Sequence, residues 1–317
     1  MTTIDGDSGD RGPRDRARAA AMVREFAANV VFYPEFEKAL SLIDDFVACG
    51  VVNDQAPCML VTGPTGVGKT ELVRQHLRQH PPSTDGETDE VPAVFLETPA
   101  EVTLKSLAEA LLVQLGDPAP HRGGQVDKTR RVKDYIKELK VQRIVFDEVQ
   151  HLTARRTDRG LLAAANWLKH LLNEGCCPIL LVGTDEAREL LIREPQLARR
   201  CFADHPLKPF GLESEEERSD FFALVAIVDG LLPMPERGTL LGVEMGVRLH
   251  IATLGRFGRL TLLVQKALFK GLMEGSATVQ ERHFHVAYDE WAVLHDRPRP
   301  DGSRPPIAPN PFREETA

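Results

Sequence analysis

Gly63-Pro64-Thr65-Gly66-Val67-Gly68-Lys69-Thr70 sets glycines, a lysine and a hydroxyl at the spacing G-x-x-x-x-G-K-[ST]. The spacing has a chemical reason. Glycines let successive backbone N–H groups turn inward around a phosphate, and the N-terminus of a following helix adds partial positive charge. Lys69 then reaches the β- and γ-phosphates, the Thr70 hydroxyl holds Mg²⁺, and Glu71 opens the helix. A second group, Asp147 and Glu148, ends the apolar run Ile144-Val145-Phe146. Two carboxylates at the end of a buried strand suit two tasks: the first holds Mg²⁺ and the second polarises an attacking water. A solvated acidic turn is the blander reading, and the complete phosphate loop upstream outweighs it. The pattern predicts binding and hydrolysis of a nucleoside triphosphate.

Three further positions fit the same chemistry. Thr184 ends the run Ile179 to Val182, where its hydroxyl suits the γ-phosphate or the water; as the start of Thr184-Asp-Glu-Ala-Arg it equally suits a helix N-cap. Arg199 and Arg200 precede the last expected strand, and in a ring or helical assembly one of them could act in a neighbour's site. Gly255-Arg256-Phe-Gly-Arg259 opens an amphipathic helix from which an arginine could reach the γ-phosphate, Arg259 first and Arg256 second.

The elements that position these residues alternate. Met59–Val61, 93–96, 143–148, 178–184 and 206–210 read as strands, with helices between them at 71–77, 104–115, 126–140 and 161–172. Alternation implies right-handed crossovers, a mainly parallel five-stranded sheet and ligands at the strand C-terminal ends. Ahead of the loop, Phe36, Leu40, Ile43 and Val47 share one helix face. Residues 81–90 read as an exposed linker. From Glu213 only helices follow (213–229, 238–252, 259–274, 280–294), with Leu260, Leu263, Val264, Ala267 and Leu268 on one stripe. The expected division is a disordered tail at 1–18, a nucleotide-binding α/β domain with N-terminal helices at 19–211, a helical lid at 212–295 and a flexible tail at 296–317.

At 317 residues with net charge −8, the chain can bury a large core but carries no global positive field. Nucleic-acid contact would need a local stripe. Arg130, Lys133, Lys137 and Lys140 line one helix face, and Arg155, Arg156 and Arg159 follow the acids. A solvated charged face is the commoner role for such residues. The cysteine count is odd, at five, without a C-x-x-C pair, so a reducing cytoplasm is expected. No apolar run reaches membrane-span length and the charged N-terminus is unlike a signal peptide. His151 reads as a loop residue, Trp167 and Trp291 as packing, and no metal cluster or Cys/His nucleophile stands out.

Phosphate loop, Asp-Glu strand end, Thr strand end, arginine pair and helical lid, in that order, resemble an AAA+ ATPase. Phe32-Tyr-Pro-Glu-Phe36, Phe146-Asp-Glu-Val-Gln-His-Leu152, Asn166-Trp-Leu-Lys, Leu172-Asn173 with Leu181-Val-Gly-Thr184, and Gln196-Leu-Ala-Arg-Arg200 narrow this. Over about residues 20–295 the chain is similar to the TniB/TnsC-type transposition ATPases, relatives of MuB. The resemblance implies a three-layer P-loop fold with a small helical lid, and an ATP-dependent homo-oligomer on duplex DNA without sequence preference. It also implies a DDE transposase and a TniQ-type target-selection protein as partners. Gly63–Thr70 would bind ATP, Thr70 and Asp147 would hold Mg²⁺, and Glu148 would activate water. Thr184 would sense the γ-phosphate, Arg199 or Arg200 would complete the neighbour's site, and Arg259 would serve the lid. Cys201-Phe202 follows the arginine pair where Phe alone is more usual in the family, so the choice between the two arginines stays open. The alternative is an AAA+ switch of secretion or signalling type that acts on protein partners without DNA. An origin-type loader would need a winged-helix domain, for which 275–317 looks short.

Overall fold

The computed structural model describes residues 11–52, 56–84, 89–99, 103–153, 158–174, 177–295 and 309–313. It forms two compact units, one of Phe32–Lys208 and one that joins Met1–Val31 to Pro209–Ala317. Helix α1 (Arg11–Ala27) belongs to the second unit. The first contains α2 (Pro34–Val52), β1 (Cys58–Thr62), α3 (Lys69–Gln79), β2 (Ser83–Thr84), β3 (Asp89–Glu90), β4 (Ala93–Glu97) and α4 (Leu104–Gln114). It continues through α5 (Gln125–Glu138), β5 (Arg143–Asp147), α6 (Asp158–Asn173), β6 (Ile179–Gly183), α7 (Glu189–Arg193), α8 (Pro195–Ala198) and β7 (Cys201–Pro206).

Five strands form one parallel sheet in the order β4-β5-β6-β1-β7. The order follows from side-chain type. β1, β5 and β6 are buried at every position around apolar centres, as strands covered by helices on both faces must be. β7, at an edge, alternates half-buried and exposed residues. Leu107, Leu111, Val132, Ile136, Leu168 and Leu171 bring α4, α5 and α6 onto the core, and Trp167 packs there with its Nε1 donating to Thr129 Oγ1 at 3.2 Å. At the far end of β5, Arg143 is fully buried, and beside it His76 is buried in α3. Burial, with the Arg143 cation, pulls the His76 pKa down to about 3, so its ring stays neutral in the folded protein.

The second unit holds α1, α9 (Glu215–Gly230), α10 (Val243–Thr253), α11 (Phe257–Glu274) and α12 (Glu281–His295). Leu260, Leu263, Val264, Ala267 and Leu268 form the buried stripe of α11. Ser214 caps α9 in a capping box with Glu217, which explains the acid-rich run there.

Four expectations need correction. Residues 11–18, read as disordered, are the first turns of α1; Ala19 and Phe26 are buried and α1 packs on α11. Residues 1–10 lie outside the described residues. The fifth strand is Cys201–Pro206, not 206–210: prolines at 206 and 209 lack N–H donors, whereas 201–206 pairs with β1. Within the linker at 81–90, β2 and β3 pair antiparallel. In the tail at 296–317, residues 309–313 dock on α12. There Phe312 is 2% exposed with its ring 5.4 Å from that of Phe284, and Asn310 Nδ2 donates to His285 O at 3.0 Å. The rest of that tail lies outside the described residues.

Candidate functional site

β1 delivers the chain into the phosphate loop, which opens at Gly63. Its φ is +151°, and a Cβ there would lie 2.3 Å from Leu207 O, so only glycine fits. Gly68, left-handed at φ +106°, then starts α3. Lys69 is 6% exposed, and its Nζ donates to Gly63 O at 2.9 Å and Pro64 O at 3.2 Å. The ammonium therefore lies along the loop that it must serve. Pro64, Gly66 and Thr70 are half-buried, Thr65 is exposed, Val67 is buried, and Glu71 is half-buried in the first turn of α3.

β5 lies between β4 and β6, and its last residue, Asp147, meets α3. Thr70 Oγ1 donates to Asp147 Oδ2 at 2.8 Å, and Glu148 N donates to Asp147 Oδ1 at 2.9 Å. Burial raises the Asp147 pKa above the usual carboxylate range, and these two hydrogen bonds act the other way. A hydroxyl and a carboxylate oxygen in contact are the hard donors that Mg²⁺ prefers. Glu148 follows in a left-handed conformation, φ 55°, ψ 37°. That costs a non-glycine residue about 1 kcal/mol and marks a position held by its surroundings.

What holds it is Gln150, which the motif Phe146–Leu152 contains but to which the sequence reading assigns no role. Its Nε2 donates to Glu148 Oε2, while its Oε1 accepts from Thr184 N at 3.0 Å. One carboxamide thus links the end of β5 to the end of β6. Gly183 leaves room for it, since a Cβ there would lie 2.6 Å from Gln150 Oε1. Gln150→Leu removes both bonds and is expected to slow ATP turnover by about tenfold, with ATP affinity within about twofold of wild type. Phosphate release and nucleotide titration check this, and unchanged turnover would mean that the bridge plays no part.

Thr184 lies at the end of β6 as expected. Its hydroxyl donates to Glu186 in the 3₁₀ turn 185–188, so the N-cap position is real while the hydroxyl bond is to a side chain. From that turn Arg188 Nε donates to Asp204 Oδ2 at 2.7 Å, and its Nη2 donates to Thr62 Oγ1 at 2.6 Å. Arg188 therefore fixes the residue just before the phosphate loop. His151 joins the same edge through Nδ1 and Thr98 O, 2.7 Å apart.

The remaining candidates separate. Arg199, at the C-terminal end of α8, is exposed. Arg200 is half-buried and its carbonyl accepts from Cys58 N at 2.9 Å, while Cys201 stands opposite Cys58 in the β1–β7 register. On α5, Arg130, Lys137 and Lys140 (just past its end) are exposed, but Lys133 is held by Glu174 with His170 beside it. Arg155 and Arg156 lie outside the described residues, as does the side chain of Arg159. Arg256 and Arg259 belong to the helical unit, where Arg256 caps α11 and both are half-buried. Burial, with Arg256 nearby, lowers the Arg259 pKa.

The family model for bacterial TniB proteins matches residues 24–212, which takes in the loop, both carboxylates, Gln150, Thr184 and the arginine pair. The chain belongs to the TniB family. No curated protein matches it in sequence. Among solved structures, it is similar to Cdc6p from Pyrobaculum aerophilum (12% identity, TM-score 0.62, 84% of this chain and 70% of that one). It is also similar to the Aeropyrum pernix ORC1 protein in complex with DNA (15%, 0.60, 90% and 77%) and to the Aeropyrum pernix ORC2 protein in its ADP form (15%, 0.60, 84% and 72%). At such identities the likeness carries the fold, that of the AAA+ ATPases. This TniB-family chain is accordingly an AAA+ ATPase. Among its described residues, no helix is long and apolar enough to cross a membrane.

Proposed function

We propose that the chain assembles on duplex DNA in its ATP-bound form and brings a DDE transposase to that DNA, with a TniQ-type protein choosing the site. The observation that carries this reading is the TniB match over a site whose catalytic parts are already connected, Thr70 to Asp147 and Glu148 through Gln150 to Thr184.

In the reaction, the loop amides and Lys69 hold the β- and γ-phosphates of ATP. Thr70 and Asp147 would hold Mg²⁺, which neutralises charge on the phosphates. Glu148, positioned by Gln150, orients and polarises the water in line with the γ-phosphate, and Thr184 reports the γ-phosphate to β6. Arg199, the exposed member of its pair, is the better candidate for a neighbour's site in the oligomer. Arg256 or Arg259 serves the lid. Arg130, Lys137 and Lys140 would meet DNA phosphates without reading bases, as expected of target-nonspecific binding. Lys133, engaged with Glu174, contributes less.

The test is binding of the purified chain to labelled random duplex without nucleotide and with ADP, ATP or a non-hydrolysable analogue, with micrographs of the same samples. Binding and ordered assemblies are expected only with ATP or the analogue, and should weaken steeply with salt. ATP binding without DNA binding would overturn the proposal in favour of a switch that acts on protein partners.

A further inference from the structure

No metal-ligand cluster is visible in the sequence, yet the fold builds one at the pole of the sheet opposite the carboxylates. Arg143 opens β5 and Asp147 ends it. Around the Arg143 end, the last turn of α3 presents His76 with His80 just beyond it, four residues apart and so on one helix face. Asp44 comes to them from α2. Each of the three offers a ligand atom, and the three atoms lie within 4.8 Å of one another.

The side chains are arranged as ligands rather than as a hydrogen-bonded cluster. His76 is 0% exposed, and neither ring nitrogen has a hydrogen-bond partner; Nδ1 faces Asp44 Oδ1 at 3.2 Å. A fully buried ring whose Nε2 is unmet and whose Nδ1 has only a poorly directed contact with Asp44 is costly, and something must compensate. His80 turns Nδ1 onto the His76 carbonyl at 2.9 Å. That bond places the ring proton on Nδ1 and leaves the Nε2 lone pair for a ligand, the backbone support common behind metal-bound imidazole. Asp44 is half exposed and gives the site an opening to solvent.

We propose that Asp44, His76 and His80 bind one divalent transition-metal ion of the zinc class, with an open coordination position. The donor set is two imidazoles and a carboxylate. Arg143, fully buried beside it with no acceptor on Nε, Nη1 or Nη2, opposes cations held by charge alone. It therefore disfavours Mg²⁺ and Ca²⁺, which need several oxygen ligands, and leaves ions that bond strongly to imidazole nitrogen. The bound ion ties α2 to the far end of the helix that begins with Lys69 and Thr70. The inference is independent of the transposition reading.

The test uses the full chain, stripped with chelator and free of nucleotide, titrated with Zn²⁺ against a chromophoric chelator and then with Co²⁺ for its visible spectrum. The expected result is one tight equivalent of Zn²⁺ and Co²⁺ bands without thiolate charge transfer. His80→Ala and Asp44→Asn, at positions that are half-buried and exposed, should remain folded by circular dichroism and bind at least about a hundredfold more weakly. No uptake by the wild type, a thiolate band, or wild-type affinity in both variants would overturn the site.

Discussion

Glu148→Gln is expected to lower ATP turnover by about two orders of magnitude or more while ATP still binds, because removing a positioned general base costs that much. The geometry makes this variant specific. Glu148 contributes no atom to the Thr70–Asp147 contact, and its backbone N–H, which donates to Asp147, is kept. The glutamine is close in shape and can still meet Gln150, so the left-handed turn should survive. Phosphate release and nucleotide titration on one preparation separate the two effects. If hydrolysis releases the protein from DNA, the same variant stays bound in ATP while the wild type dissociates. Turnover within about threefold of wild type would remove Glu148 from the chemistry, and DNA release at the wild-type rate would uncouple hydrolysis from release.

Lys69→Ala should act a step earlier, on binding. The ammonium is nearly buried and already held by two loop carbonyls, so it meets the phosphates with little further ordering. A hydrogen bond to a charged group contributes about 1.5–3 kcal/mol, so ATP affinity should fall by roughly 10- to 150-fold. Titration with a fluorescent ATP analogue measures it, with thermal melting of the nucleotide-free protein as the control for folding. Unchanged affinity would place the phosphates elsewhere. Together with Gln150→Leu, the three variants distinguish holding the nucleotide, doing the chemistry and aligning the groups that do it.

The parts of the site legible in the sequence are those written locally. The phosphate loop needs fixed residue types over eight consecutive positions, and the Asp147–Glu148 pair follows an unbroken apolar run. The buried strands β1, β5 and β6 were readable for the same reason. What was missed depends on distant partners. Gln150 matters because Thr184 lies beside it in space, and Asp44 joins His76 only once α2 packs on α3. The His76/His80 spacing was there to be seen, but without its third member an i,i+4 histidine pair looks like any other helix face. The edge strand β7 is hard to read from sequence because Cys201–Pro206 shows only alternation and contains Asp204 and His205, with no unbroken apolar run to mark it. The arginine pair was visible, but its unequal exposure comes from where α8 ends.

The helical unit is discontinuous along the chain: α1 precedes the entire α/β unit, yet its buried residues pack with α11, more than two hundred positions later. During synthesis, α1 emerges ahead of Phe32–Lys208 and does not meet its partner α11 until that whole unit has followed it. Phe32–Lys208, contiguous, can complete its sheet in the meantime. The order of folding is thereby built into the order of the chain. Phe32–Lys208 can therefore complete its fold before the helical unit has all of its helices.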